Sequence, residues 1–293
     1  MPLWILFFAK FWGVLAFLTP WWLRNFFGHG LAFLWWDLLK LRRFTLYRNL
    51  TIAFPEMSKE QKTAMARGSL VRLGANFIEF LSLPMVSRQW MQRHVSFHGL
   101  ENYEAARGKG RGIFFLSMHM GNGDFGCAMM ALSGIPLHLI SKKFKSEAVN
   151  SFWFGIRESM GTRFMDPHAP KTAFEILGAC KRQEPVTFVL DQFMGRPYGI
   201  ETLFFGKKTG TAYGLALFAI KTKAPVVPVF TYRDEANRTH VVFEKEILID
   251  SEASDRDLQI LKTTQKYNEW IESVIRRHPD QWMWIHRRWK LWE

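Results

Sequence analysis

The sequence holds only two cysteines among its 293 residues, Cys127 and Cys180. They form no CxxC motif and no disulfide framework, so a disulfide-stapled secreted scaffold is excluded and two buried, reduced thiols are expected. No HExxH and no paired-carboxylate spacing occurs, so no metal is expected and no cofactor is required. Zinc-finger spacing and an RNA-binding aromatic signature are also missing, which argues against nucleic acid as a partner. Acidic residues are scarce: 26 Asp and Glu stand against 39 Lys and Arg, a formal net charge of +13. Such a surface attracts anionic lipid headgroups or an acidic protein. Tyrosine is scarce as well, with 6 against 27 Phe and 13 Trp. A surplus of Phe and Trp suits a protein whose surface partly faces lipid. There are no internal repeats and no low-complexity tracts, and the length allows one large α/β domain or two modest ones.

The N-terminus lacks a clean run of the ~20 apolar residues that a spanning helix needs. Residues 3–18 are apolar but carry Lys10 in their middle, and a second apolar run begins near Leu31 and ends in Lys40-Leu41-Arg42-Arg43. A cleaved signal peptide is discounted, because no early Lys or Arg opens the chain and bulky Leu18 and Trp21-Trp22 occupy the place of small residues. A single spanning helix and an interfacial helix with Lys10 snorkelling both remain open. In either case Arg24, Lys40, Arg42, Arg43 and Arg48 are expected to face anionic headgroups. The pairs Trp21-Trp22 and Trp35-Trp36 argue against a buried core hairpin. Residues 1–45 are therefore read as a membrane-anchoring helical segment and 46–293 as an α/β domain.

Ser58-Lys-Glu-Gln61 is a capping-box pattern that predicts a helix to about Leu83, with Leu70, Leu73, Phe77, Phe80 and Leu81 on one stripe. Beyond Pro84 short apolar runs alternate with helical patterns. Strands are expected at 112–117, 136–141, 185–191 and 224–232, with a pairing strand at 239–244. Helices are expected near 125–133, 152–160, 213–222 and 257–277. Alternation of this kind means an α/β fold, a mostly parallel mixed sheet flanked by helices.

In such sheets active residues sit just beyond the C-terminal ends of strands. His119 stands there, after the strand that ends near Ser117, with Asp124 five residues on. A carboxylate on one ring nitrogen would leave the other free to take a proton from a hydroxyl. Gly121 and Gly123 would permit the tight turn. The same stretch spells Gly121-Asn-Gly123-Asp-Phe-Gly126, a literal dinucleotide fingerprint. Against it, Lys142 and Lys143 stand where a ribose-binding acid belongs, and Asp124 places negative charge where a pyrophosphate would sit. Ser117 could instead be a nucleophile served by His119, but no GxSxG elbow surrounds it.

With these residues, the sequence resembles the lipid A late acyltransferase family, within the lysophospholipid (glycerol-phosphate-acyltransferase-like) acyltransferase superfamily. Leu46-Tyr-Arg-Asn-Leu through Phe54-Pro-Glu56 is similar to its Arg-Asn-Leu segment, and His119 to Asp124 to its His-x4-acidic motif. Leu190-Asp-Gln-Phe-Met-Gly195 with Leu203 to Thr211 is similar to its second block, and His278 to Lys290 to its C-terminal block. The resemblance implies an acyl thioester donor, acyl carrier protein or acyl-CoA, and a glycolipid hydroxyl as acceptor, at the cytoplasmic face of a bacterial inner membrane. It implies His119 and Asp124 as catalytic, with Arg163 as the assisting arginine and Arg157 as its neighbour candidate. It also implies Asp191 as an acidic residue of the second block. For the oxyanion of such a transfer, backbone N–H groups near Gly121, Asn122 and Gly123, or Arg163, are the candidate donors. Similar architectures acylate mannosylated phosphoinositol or amino-acid lipids, so the acceptor stays open. The C-terminal cations Arg276, Arg277, Arg287, Arg288 and Lys290 are surface charge by default. Trp282, Trp284, Trp289 and Trp292 are an equally open membrane-contacting rim.

Overall fold

A computed structural model describes the backbone of residues 3–253 and 255–290, and the side chains from residue 10 onward in that range. Trp292 lies outside the described residues. The chain opens with α1 (Leu3–Leu18) and α2 (Trp21–Ala32), followed by a π-helical turn over Phe33–Leu38. Both helices pack on α4 (Lys59–Ser82), which follows α3 (Arg43–Ala53). The expected capping box at α4 is formed: the Gln61 N–H donates to the Ser58 hydroxyl and the Gln61 amide accepts from the Ser58 N–H. Along the α4 stripe Leu70 and Phe80 are buried, while Phe77 is exposed.

After α5 (Arg88–His94) come β1 (Val95–His98), α6 (Leu100–Gly108), β2 (Phe114–Ser117), α7 (Gly123–Ser133) and β3 (His138–Ile140). Next are α8 (Glu147–Ser159), β4 (Arg163–Met165), α9 (Thr172–Lys181) and β5 (Val186–Val189). A hairpin of β6 (Gly199–Phe204) and β7 (Lys207–Ala212) leads into α10 (Gly214–Thr222), β8 (Val226–Arg233), β9 (Thr239–Phe243) and α11 (Arg256–Arg277). The main sheet has seven strands in the order β1-β9-β8-β2-β5-β3-β4. Only β8 and β9 pair antiparallel; the remaining neighbours are parallel. This is the expected α/β fold with a mostly parallel mixed sheet.

The central strands read as continuous apolar runs because both faces are covered. Phe114 and Leu116 of β2 point into a core shared with α9, α10 and α11, whereas Phe115 points to the opposite core with α6 and α7. The C-terminal segment enters the first of these cores. Trp282, Trp284 and Trp289 are at most 3% exposed, so they are packing residues rather than a membrane rim. Arg288 is also fully buried, in correction of the default for a charged residue. Its guanidinium donates to the Gly210 carbonyl and the Thr211 hydroxyl of the hairpin at 2.6 and 2.7 Å, and those acceptors hold it inside. Arg276, Arg277, Arg287 and Lys290 do lie on the surface.

At the N-terminal end, no helix among the described residues is long and apolar enough to cross a membrane. The 16 residues of α1 rise only ~24 Å, against ~30 Å of bilayer hydrocarbon. Large apolar side chains nevertheless face outward along this segment, including Leu18, Trp22, Phe26, Phe33, Leu38 and Phe44. Lys40, Arg42, Arg43 and Arg48 are exposed beside them. Arg24 departs from that expectation. It turns inward, donating to the Ala16 and Thr19 carbonyls at 2.9 Å each and lying 3.8 Å from the Glu79 carboxylate. The last carbonyls of α1 and a buried acid outcompete headgroups for it.

Candidate active site

Strands β2 and β5 are parallel neighbours, with Ser117 opposite Val189. The residues just beyond their ends therefore meet. His119 Nδ1 lies 2.8 Å from Asp191 Oδ1, while Asp191 Oδ2 accepts the His119 backbone N–H at 3.0 Å and the Trp282 indole N–H at 2.7 Å. These donors hold the buried Asp191 carboxylate against the imidazole. Burial raises its pKa, but the facing His119 charge and these hydrogen bonds outweigh burial and hold the carboxyl down at about 2. Burial likewise disfavours charge on His119, yet Asp191, with a further contribution from Asp124, keeps its pKa above the ordinary histidine value. With the Nδ1 proton given to Asp191, Nε2 carries the lone pair. The His119 side chain is 39% exposed, and the Gln192 side-chain amide stands 3.3 Å from Nε2.

Asp124 is close to His119 in sequence but does not hold its imidazole. Asn122 accepts the Phe125 N–H at 3.2 Å and so caps α7. That turn places Asp124 in the first turn of α7, where its carboxylate pairs with the Arg157 guanidinium at 2.5 Å. The expectation of Asp124 on the ring nitrogen is thus corrected: Asp191 occupies that position, and Asp124 acts on His119 through charge. Arg157 is mostly buried, lies 5.5 Å from the Trp153 and Phe164 ring centres, and reaches the Ser141 hydroxyl at 3.4 Å.

Arg163 is elsewhere. It is the first residue of β4, paired with His138 at the start of β3, and so stands at the N-terminal edge of the sheet, opposite His119. There it donates to Glu184 at 2.7 Å, beside a cleft of about 690 Å³ lined by His138, Phe174 and Arg182 among others. Of the two arginines the sequence offered, the fold brings Arg157 to the His119 loop and takes Arg163 away.

The glycines of the dinucleotide look-alike serve packing. Gly121 has φ +58°, and a Cβ there would sit 2.6 Å from the Thr231 carbonyl oxygen. A Cβ on Gly126 would sit 2.3 Å from the Thr231 side chain. Both glycines are spent on the approach of this loop and α7 to β8. At the helix start the Asn122 oxygen already takes the Phe125 N–H and Asp124 adds negative charge, which opposes a multiply charged pyrophosphate. Cys127 is no nucleophile either, since burial, with the Asp124 charge adding, pushes its thiol up to about 12. Both cysteines are free and buried, as expected.

Behind these residues stands a shell that no local sequence spacing marks. The Met283 N–H donates to the His119 carbonyl at 3.1 Å, and the Gly121 N–H donates to the Gln281 carbonyl at 3.0 Å. His286 accepts the Phe193 N–H at 3.1 Å, and burial first, with neighbouring cations, brings its pKa down to about 4, so it stays neutral. Asn49, from α3, donates to the Trp284 and His286 carbonyls at 2.8 and 2.7 Å. The Asn49 block thus holds the C-terminal block, and the C-terminal and second blocks hold the His119 loop. Asn49→Ala would strand two carbonyls in a buried site, and a loss of about 2–4 kcal/mol in denaturant unfolding is expected. A variant as stable as the parent would show that Asn49 does not hold the C-terminal strap.

Residues 2–291 match the family described as bacterial lipid A biosynthesis acyltransferase. A lipid A biosynthesis acyltransferase of Haemophilus influenzae is 24% identical over 248 residues, covering 84% of this chain and 75% of the relative. A lipid A biosynthesis palmitoleoyltransferase of Escherichia coli strain K12 is 24% identical over 294 residues, covering 94% and 93%. A phosphatidylinositol mannoside acyltransferase of Mycobacterium tuberculosis is 22% identical over 224 residues, covering 75% and 69%. With residues 2–291 matched, the chain is a member of the bacterial lipid A biosynthesis acyltransferase family.

Proposed function

We propose that this protein transfers a fatty acyl chain from an acyl thioester, carried on acyl carrier protein, to a hydroxyl of a lipid A precursor, with His119 as general base. The observation that carries this reading is the His119–Asp191 pair, with Nδ1 engaged and Nε2 turned to a part-exposed strand end beside the Gln192 amide, which an acceptor hydroxyl would displace. Nε2 takes the acceptor hydroxyl's proton as its oxygen attacks the thioester carbonyl. Asp191 fixes the tautomer and stabilises the imidazolium. The imidazolium then returns the proton to the departing thiolate, so no acyl-enzyme is needed. The Gly121 N–H is committed to Gln281, so the developing oxyanion draws on the Asn122 and Gly123 N–H groups at the head of α7. Arg157, drawn to Asp124, supplies the positive charge nearby.

In this reading residues 1–45 lie in the membrane interface on the cytoplasmic side of the inner membrane. Support comes from their outward apolar side chains and the exposed Lys40, Arg42, Arg43 and Arg48. The relative that acylates phosphatidylinositol mannoside makes that glycolipid the second acceptor to assay.

Thiol release from lauroyl-acyl carrier protein, measured with lipid A precursor in detergent micelles, tests the assignment. Arg157→Ala should lower turnover roughly 10²–10³-fold, as expected for a lost electrostatic stabiliser. Arg163→Ala, at the far edge of the sheet, should stay within about twofold of the parent, as surface substitutions do. The reverse ranking would overturn the placement of Arg157 at the site.

A further inference from the structure

The catalytic loop is gripped from behind by α4. Asn76 and Glu79 sit three residues apart on one helix face. The Asn76 amide donates to the Gly121 carbonyl at 2.6 Å, and its backbone carbonyl accepts the Asn122 amide at 3.2 Å. The Asn122 amide also donates to Glu79 Oε2 at 2.8 Å. Glu79 is itself 2% exposed. Its other oxygen accepts from the Arg233 guanidinium at the end of β8, with Arg24 of α2 3.8 Å away. The Trp21 ring centre lies 4.5 Å from the Arg233 guanidinium carbon. One buried carboxylate thus joins the N-terminal helices, α4, β8 and the loop between His119 and Asp124.

A buried acid with two arginines around it is more than packing requires, since apolar residues of similar shape would pack as well or better. What the carboxylate adds is direction: an acceptor in a fixed place for the Asn122 amide. Asn122 is the hinge of the loop, because its oxygen caps α7 while its nitrogen ties back to α4. We infer that Glu79 is a positioning residue that holds the His119–Asp124 loop in its reactive shape through Asn122. The inference rests on the reading of His119 as general base.

The test separates the two functions of Asn122. Serine also caps a helix, so Asn122→Ser keeps the cap and removes the amide's ties to Glu79 and to the Asn76 carbonyl. Glu79→Gln keeps the shape and weakens the acceptor. Each single variant is expected to lower kcat roughly 10–100-fold per folded enzyme, in the lauroyl-acyl carrier protein assay, with KM for the donor unchanged, as misplaced catalytic groups do. Because Glu79 acts on the loop through the Asn122 amide, which Asn122→Ser already lacks, the double variant should fall no further than Asn122→Ser alone. A merely structural role would lower the thermal midpoint and leave kcat per folded molecule intact. Single variants with parental kcat, or losses that multiply in the double, would overturn the inference. Should Glu79→Gln not fold, the Asn122→Ser split decides alone: loss confined to kcat supports it, and unchanged kcat overturns it. The underlying reading fails separately, through an active His119→Ala.

Discussion

His119→Ala is expected to slow acyl transfer roughly 10²–10⁴-fold while the protein stays folded, the range for loss of a general base. That range corresponds to about 3–5 kcal/mol of barrier. The loss should be incomplete, because the thioester and the acceptor remain positioned and the oxyanion donors remain in place. Folding should survive for a specific reason. The imidazole is 39% exposed, so its removal opens no deep cavity. Asp191 keeps two of its donors, the backbone N–H of residue 119 and the Trp282 indole. Turnover and thermal midpoint measured on the same preparation check both halves. Parental turnover in this variant would remove His119 from the mechanism.

Asp191→Asn should be nearly as damaging, by about 10²–10⁴-fold, the cost of losing a base's correct tautomer. Three donors converge on the carboxylate: His119 Nδ1–H, the His119 backbone N–H and the Trp282 indole. An asparagine offers one accepting oxygen and places an N–H against one of them. When that N–H meets Nδ1, the proton moves to Nε2 and the base is gone. The same change has a pH signature. Burial lowers the His119 pKa, but Asp191 more than offsets it, so the parent's value lies above ordinary histidine. A base works when neutral, and the rate therefore rises with pH through that elevated value. Without the Asp191 charge the acid limb of kcat/KM should shift to lower pH. A limb left in place, or moved up, would show that Asp191 does not set the proton affinity of the base.

Much of the fold is legible in the sequence, and its physical basis explains what is not. Strands β2, β3, β5 and β8 sit in the middle of a sheet covered on both faces, so their apolar runs stand out between helical patterns. The hairpin β6–β7 does not stand out. Its Lys207-Lys-Thr-Gly-Thr211 stretch reads as polar loop, because Thr209 and Thr211 bond inward to the Arg288 carbonyl and side chain. The three-residue β4 opens on Arg163, an exposed cation, and has no apolar run to detect.

The site divides in the same way. A histidine just past a buried strand, followed by glycines and an acid, marks the loop. The partner of that histidine depends on which strand lies alongside β2. That strand is β5, separated from it in sequence by β3 and β4, so no local spacing reveals Asp191 as the neighbour. Asp124 looks well spaced only until Asn122 closes the turn and directs it to Arg157. Trp282 and Arg288 look like surface residues by type. Their buried acceptors, Asp191 and the hairpin, exist only once the sheet has formed.

With His119 as general base, one acyl ester should appear on a glycolipid hydroxyl because His119 removes its proton. The most direct measurement is the intact mass of a lipid A precursor after incubation with lauroyl-acyl carrier protein and either the parent or His119→Ala. A mass increase of one acyl ester is expected with the parent, and almost none with the variant in the same time. Equal acylation by both proteins would contradict it.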